Sequence, residues 1–210
     1  VFGYFHVTAG LAANLAPISN ATMSIPAVKN LVARLLGITD QRPFPKFVRY
    51  KNHAGSSPST LLRGNSAEKP FLESRTTRRN NSKDKNFPVI FLPDAFARYI
   101  EPETEQAALD VLSRCGCDVK LLSVIGAGAS LYSKAFIEAA QRHAARLLDA
   151  LNQLDPTGVA TLVGIEPPEV YFLKHEYIDL LPHRGVEIEQ RIKNTWLLDE
   201  FLLRSKELNE

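Results

Sequence analysis

The stretch Gly126-Ala127-Gly128-Ala129-Ser130, with Ser133 and Lys134 just beyond it, has residue types suited to binding chemistry. Glycines one residue apart let backbone N–H groups turn outward, and N–H groups freed at a helix start attract anions. A dinucleotide loop would be the sharpest reading, and the match is poor. Its third glycine would fall at Leu131, and the acidic residue due about 20 residues later would fall near Asp149, inside a predicted helix. The P-loop pattern fails too, because no glycine precedes Lys134. Two readings stay open: a weak anion nest, or a tight strand-to-helix turn that needs small residues. Three carboxylates form a second set: Asp94, Glu166 and Glu169. Asp94 and Glu166 could bind a cation or move a proton as a pair; they could equally be separate N-caps and turn anchors. Lys134 reads as a partner for a phosphate, a carboxylate or the Glu166 turn. His143, beside Arg142 and Arg146, reads as part of a solvated helix face. His175, Glu176 and His183 lack zinc-ligand spacing, since His175 and Glu176 are adjacent and diverge. No residue is assigned a catalytic role, and no metal is expected.

These residues need elements to hold them. "PVIFLPDA", "DVKLLSVI" and "VATLVGIE" read as buried strands. Helical patterns alternate with them: "PETEQAALDVLSRCG", one long helix over "SLYSKAFIEAAQRHAARLLDALNQL", "PPEVYFLKHEYIDLLP", and a last helix over "VEIEQRIKNTWLLDEFLLRSKEL". Strands alternating with helices predict parallel pairing with right-handed crossovers. In such sheets, sites lie beyond the carboxyl ends of the strands. Residues 94–99, 126–130 and 166–169 should therefore meet. The expected fold class is α/β: a small, parallel, three-layer Rossmann-like domain over residues 87–210, after a helical arm and extended connector over 1–50 and a basic linker over 51–86. Pro17 and Pro26 should break the arm into short helices. Residues 52–87 carry seven Lys/Arg against three Asp/Glu, which reads as a solvated linker or a basic strap.

Composition narrows the class. Net charge is only +2 over 210 residues, too mild to argue for nucleic acid. Cys115 and Cys117 sit as C-x-C, too close to bridge each other easily, so no disulfide framework is implied and a reducing, cytoplasmic setting fits. The apolar opening "VFGYFHVTAGLAANLAPIS" is broken by His6, Asn14 and Pro17; it reads as a helix packed on protein, with a membrane-surface helix as the alternative. With Val1 first and Met23 the single methionine, the chain is expected to be part of a longer protein.

Three segments carry a resemblance: "VIFLPDAFARYIEPETEQAALDVLSRCGCDVKLL", "GAGASLYSKAFIEAAQRHAARLLDAL" and "LVGIEPPEVYFLKHEYIDLLP". They resemble the cysteine-rich domain of the FAD-linked, iron–sulfur 2-hydroxyacid oxidoreductases, which include glycolate oxidase iron–sulfur subunits and D-lactate dehydrogenase-like fusion flavoproteins. Residues 20–60 and 87–204 take part, and Ser133-Lys134, Glu166-Pro167 and Glu176-Tyr177 are the most specific matches. The departure matters more. The family usually has Cys-Cys-Gly where this chain has Gly126-Ala127-Gly128, and a cysteine where it has Glu169. A cluster needs thiolates, which Asp or Glu oxygens replace badly.

The resemblance implies a parent enzyme that oxidises a D-2-hydroxy acid such as D-lactate or glycolate. FAD and iron–sulfur clusters would sit elsewhere in that parent, and neither in this piece. The implied partners are the parent's FAD and ferredoxin-like domains and an electron acceptor, with peripheral membrane association of the parent. The alternative is a non-catalytic interaction module for a partner electron-transfer protein. Asp94, Gly126, Ala127, Gly128, Ser133, Lys134, Glu166 and Glu169 are the expected lining of a shallow, weakly anion-binding cleft.

Overall fold

The computed structural model describes residues 2–37, 39, 44–49 and 87–207. Four strands, β1 (Phe87–Leu92), β2 (Cys117–Leu121), β3 (Thr161–Gly164) and β4 (Thr195–Leu197), form one sheet in the order β2-β1-β3-β4. Every pairing is parallel: Val89 lies opposite Val119 on one side and Thr161 on the other, and Val163 lies opposite Trp196. β1 is central and buried on both faces, which is why "VIFL" is a continuous apolar run rather than an alternating one.

The two sheet faces are covered unequally. Ile90, Leu92, Leu122 and Leu162 meet α7 (Ile137–Leu154), α8 (Pro167–Leu180) and α9 (Gly185–Lys193) through Leu147, Leu148, Leu151, Leu173, Tyr177 and Ile188. On the other face, among the described residues, Val89, Phe91, Val119 and Val163 meet α5 (Pro102–Arg114) and α10 (Leu198–Glu207), through Ala108, Leu109, Leu112, Leu198 and Phe201. α5 follows its sequence signals: Pro102 and acidic residues open it, and Gly116 ends it at φ 78°.

Two sequence expectations need correction. The helix expected over 130–154 is two helices, α6 (Ala129–Tyr132) and α7. Between them Ala135 takes φ 60° and the Phe136 N–H closes on the Leu131 carbonyl at 3.0 Å. Phe136 leaves the helical path to pack against Tyr4, with ring centroids 5.3 Å apart. The last helix is likewise broken, by β4. There Thr195 and Leu197 are buried and the edge of β3 offers backbone partners, so a β-branched and aromatic run pairs rather than coils.

The N-terminal arm breaks near its prolines as expected, into α1 (Phe5–Asn14), α2 (Ala16–Met23) and α3 (Pro26–Leu36). α1 lies across α4 (Ala95–Tyr99). Phe5 stacks on Phe96 with centroids 4.6 Å apart, His6 meets His143 edge-on at 4.8 Å, and Ser130 Oγ donates to the Gly3 carbonyl at 3.1 Å. Gly10 permits this approach, since a Cβ there would lie 3.1 Å from the Tyr99 hydroxyl. Asn20 pins the extended segment at Phe47 with both halves of its amide. The basic linker expected over 51–86 lies outside the described residues.

Among the described residues, two ion pairs are buried. Arg98 of α4 grips Glu105 of α5 through two hydrogen bonds, of 2.7 and 3.1 Å. Asp155 organises the approach to β3: its carboxylate accepts from Thr157, Gly158, Ala160 and Arg191. Burial alone would raise the Asp155 pKa, but the Ala160 N–H, the Thr157 hydroxyl and Arg191 lower it from 3.8 to about 2. Stability from this group is full above pH 3.8 and lost as pH falls toward 2. Asp155→Asn leaves Arg191 buried without its counter-charge and should cost about 3–5 kcal/mol at pH 7 by urea unfolding; a loss near zero would mean the pair is dispensable.

Burial first, then the charges of His143 and Arg146, hold His6 down from 6.5 to about 4, and burial also lowers His143. An undocked arm frees His6 to bind a proton that its docked form refuses. Docking of the arm therefore weakens as pH falls from 6.5 toward 4. Amide protection of residues 5–14, corrected for intrinsic exchange, should drop between pH 7 and pH 5, and the drop should shrink in His6→Gln. Constant protection would rule this out.

Candidate functional site

β1 sends its chain to β2 on one side, whereas β3 lies on the other side of β1. That reversal opens a crevice at the carboxyl ends of β1 and β3. The three turns expected to meet do meet here. The Gly126 N–H donates to the Pro93 carbonyl at 2.8 Å, and Glu169 reaches the 126–129 turn. Asp94 is buried and serves as the N-cap of α4, accepting from the Phe96 and Ala97 N–H groups at 2.8 and 3.0 Å. Glu166, the residue before α8, makes no side-chain cap bond. Burial, then the Asp94 and Glu169 charges, raises its pKa.

Glu169 is the organising residue. One carboxylate oxygen, Oε2, accepts from the N–H groups of Ala127, Gly128 and Ala129 at 2.6, 3.0 and 3.3 Å. The turn is thus an anion nest, and its anion comes from the first turn of α8 in the same chain. Gly126 and Gly128 make the nest possible with φ of 66° and 99°. A Cβ at Gly126 would also meet the Glu169 carboxyl carbon at 3.0 Å, and one at Gly128 the His143 ring at 3.1 Å. Burial raises the Glu169 pKa, outweighing the three N–H bonds that act to lower it.

The carbonyls of the turn are satisfied from the helices behind it. The Tyr177 hydroxyl donates to the Ala127 carbonyl at 2.6 Å, and His143 Nε2 bonds the Gly126 carbonyl at 2.9 Å. His143 is therefore not on a solvated face with Arg142 and Arg146; it is buried, at 3% exposure. It lies in the apolar row Ala140, Ala144, Leu147, Leu151 of α7, a helical spacing that is readable in the sequence. Its Nδ1 is buried and has no hydrogen-bond partner among the described residues. Tyr177 stands out in the sequence only through the resemblance. The Arg98–Glu105 pair leaves no sequence signal beyond a seven-residue separation.

Ser133 and Lys134 stand apart from this arrangement. Both are exposed, in the break between α6 and α7. Ser133 Oγ donates to the Ser130 carbonyl at 3.2 Å, and Lys134 has no ion pair among the described residues. α6 itself is four residues long, so the extended helix start expected behind the glycines is not there.

An iron–sulfur cluster does not fit this donor set. Glycine, alanine and a carboxylate occupy the turns, and the thiols of Cys115 and Cys117 lie at the opposite, amino end of the sheet. No group of three or more His, Cys, Asp or Glu side chains suited to a metal occurs among the described residues. Nor is any described helix long and apolar enough to cross a membrane.

No family model matches the chain, and no solved structure matches it. One curated protein does: the D-2-hydroxyglutarate dehydrogenase of Pseudomonas putida, 26% identical over 199 residues. The match takes in 95% of this chain and 18% of that protein. The chain is thus similar, along nearly its whole length, to a small part of a 2-hydroxyacid dehydrogenase.

Proposed function

We propose that this chain is part of an FAD-linked oxidoreductase acting on D-2-hydroxy acids, and that it serves there as a docking and structural module without a cluster of its own. The observation that carries the reading is the match to D-2-hydroxyglutarate dehydrogenase over 95% of the chain. FAD and any iron–sulfur clusters would be held by the rest of the parent, where a flavin would supply hydride chemistry and clusters would supply electron transfer. The substrate is a small D-2-hydroxy acid, with D-2-hydroxyglutarate, D-lactate and glycolate as the compounds to try.

Two features support the docking role. The first is the nest: Glu169 bridges the turn after β2 and the start of α8, the two places where the resembling family has cysteines. The carboxylate does mechanically what a shared cluster would do, without redox chemistry. The second is the N-terminal arm. No charged residue precedes Lys29. α1 and α2 bury only small residues, Ala9, Ala13 and Ala16, while Val7, Leu11, Leu15 and Ile18 form one exposed row on the outer side. An uncharged helical arm with apolar residues on both its inner and outer sides is built to be covered on both. A membrane surface suits it poorly, because interfacial helices carry Lys and Arg on their polar face. Its occupant is a redox domain of the parent chain.

One experiment addresses parent and module together. The parent polypeptide should purify with a flavin absorption band that D-2-hydroxyglutarate, D-lactate or glycolate bleaches anaerobically. Leu11→Asp with Ile18→Asp should leave substrate bleaching intact and slow the onward transfer to an electron acceptor by about tenfold. A flavin-free parent would overturn the enzyme assignment; unchanged transfer would overturn only the docking role.

The latch has its own test. Glu169→Ala leaves three N–H groups without their acceptor and should cost about 2–4 kcal/mol in urea unfolding. Glu169→Gln, which keeps an acceptor oxygen, should cost less, because burial already disfavours the charge. Acetate or sulfate at millimolar concentration should restore part of the stability of Glu169→Ala and leave the unsubstituted chain unaffected. Equal anion stabilisation of both proteins would show that the nest is open to solutes.

A further inference from the structure

Beside α10, a groove lies at the amino ends of the strands, bounded by Cys115 just past the end of α5 and away from the Glu169 turn. The cavity measures about 550 Å³, inside the range for small-molecule sites. Its walls are largely apolar and aromatic: Phe87 from β1, Trp196 from β4 and Phe201 from α10, with Val159 and Leu202 beside them. Among the described residues, its charged lining is Lys193 and Arg204, both cations, with no carboxylate.

Neither cation has a carboxylate partner among the described ion pairs. Arg204 stacks over the Trp196 ring at 4.1 Å, which holds the guanidinium at the groove wall. The carboxylate one helical turn before it, Glu200, is taken by the Tyr171 hydroxyl and the Leu197 N–H.

We propose that this groove is a binding site for a small, flat, apolar monoanion, an aromatic or short acyl carboxylate, whose body lies against Phe87, Trp196 and Phe201 and whose charge is met by Lys193 and Arg204. The site is independent of the parent's redox chemistry and of the Glu169 turn. Cys115 and Cys117 also line the groove. Burial, then the neighbouring Cys115, raises the Cys117 thiol to about 11, so it is a neutral, weakly polar wall rather than a nucleophile.

Trp196 is the single tryptophan of the chain, so its emission reports on this groove. The probe is 4-nitrobenzoate, a flat monoanion that quenches indole; its uncharged control is 4-nitrobenzamide. On the full chain, 4-nitrobenzoate should quench saturably at one equivalent, with 4-nitrobenzamide binding at least about tenfold more weakly. It should also slow alkylation of Cys115, the exposed thiol of the groove lining. Lys193→Ala and Arg204→Ala should each weaken binding about tenfold, whereas Lys134→Ala, at the far end of the sheet, should not. Because Arg204→Ala also changes the Trp196 environment, calorimetry gives the affinity of that variant and circular dichroism its folding. Non-saturating quenching up to 10 mM (roughly the limit for a specific site,), equal binding of the amide, or unchanged affinity in both variants would overturn the proposal.

Discussion

The carboxylate of Glu169 in the 126–129 nest is the contact on which the carboxyl end of the sheet depends. It joins two turns separated by about forty residues of chain. Without an acceptor, the N–H groups of Ala127, Gly128 and Ala129 would be partly buried and unpaired, each at a cost comparable to a lost hydrogen bond. The same turn presents its carbonyls to Tyr177 and His143. Glu169 thus sits in a closed set of donors and acceptors drawn from the turn after β2, α7 and α8. The arm α1 then rests on this set through His6 and the Gly3 carbonyl.

The sheet consequently has two unlike ends. At the carboxyl end, where sheets of this topology usually bind ligands, the chain has supplied its own anion and its own cover. At the amino end, two described helices cover a face whose opposite is covered by α6, α7, α8 and α9, and lysine and arginine are left without carboxylate partners among the described residues. The asymmetry follows from the crossovers. The connection from β2 to β3 and that from β3 to β4 both run over one face, so the other receives, among the described residues, α5 and the tail helix.

Much of this fold is legible in the amino-acid sequence. Buried parallel strands write themselves as unbroken apolar runs, and the prolines and Gly116 punctuate helices where they do in the fold. The convergence of Asp94, Gly126 and Glu166 follows from parallel topology alone. Other features are hidden for physical reasons. β4 is three residues long, and inside an amphipathic pattern such a strand has no periodicity of its own. The break at Ala135 is imposed by Phe136 packing on Tyr4, a tertiary contact 132 positions away in sequence. The charged neighbours of His143 suggest a solvated face, while its helical register points inward, and the register wins. That Glu169 fills the nest, rather than lying beside it, depends on side-chain reach, which spacing does not encode.

The direction of the Glu169 pKa says what kind of contact the latch is. A carboxylate that accepts three N–H bonds in open surroundings would be held below its ordinary range. Here burial wins and the pKa rises, so the negative charge is worse off than in water even with its donors in place. The nest therefore does not stabilise the fold by binding charge tightly. It stabilises by satisfying backbone hydrogen bonds that the tight turn would otherwise leave open. A thiolate-held cluster would fix the same two turns by covalent coordination, and would need cysteines at positions where this chain has Gly126 and Ala127. With glycine and alanine there, the turn keeps its shape only if some acceptor enters from α8. An acidic side chain in the first turn of that helix, able to span the gap and tolerant of partial burial, meets that requirement with a single residue.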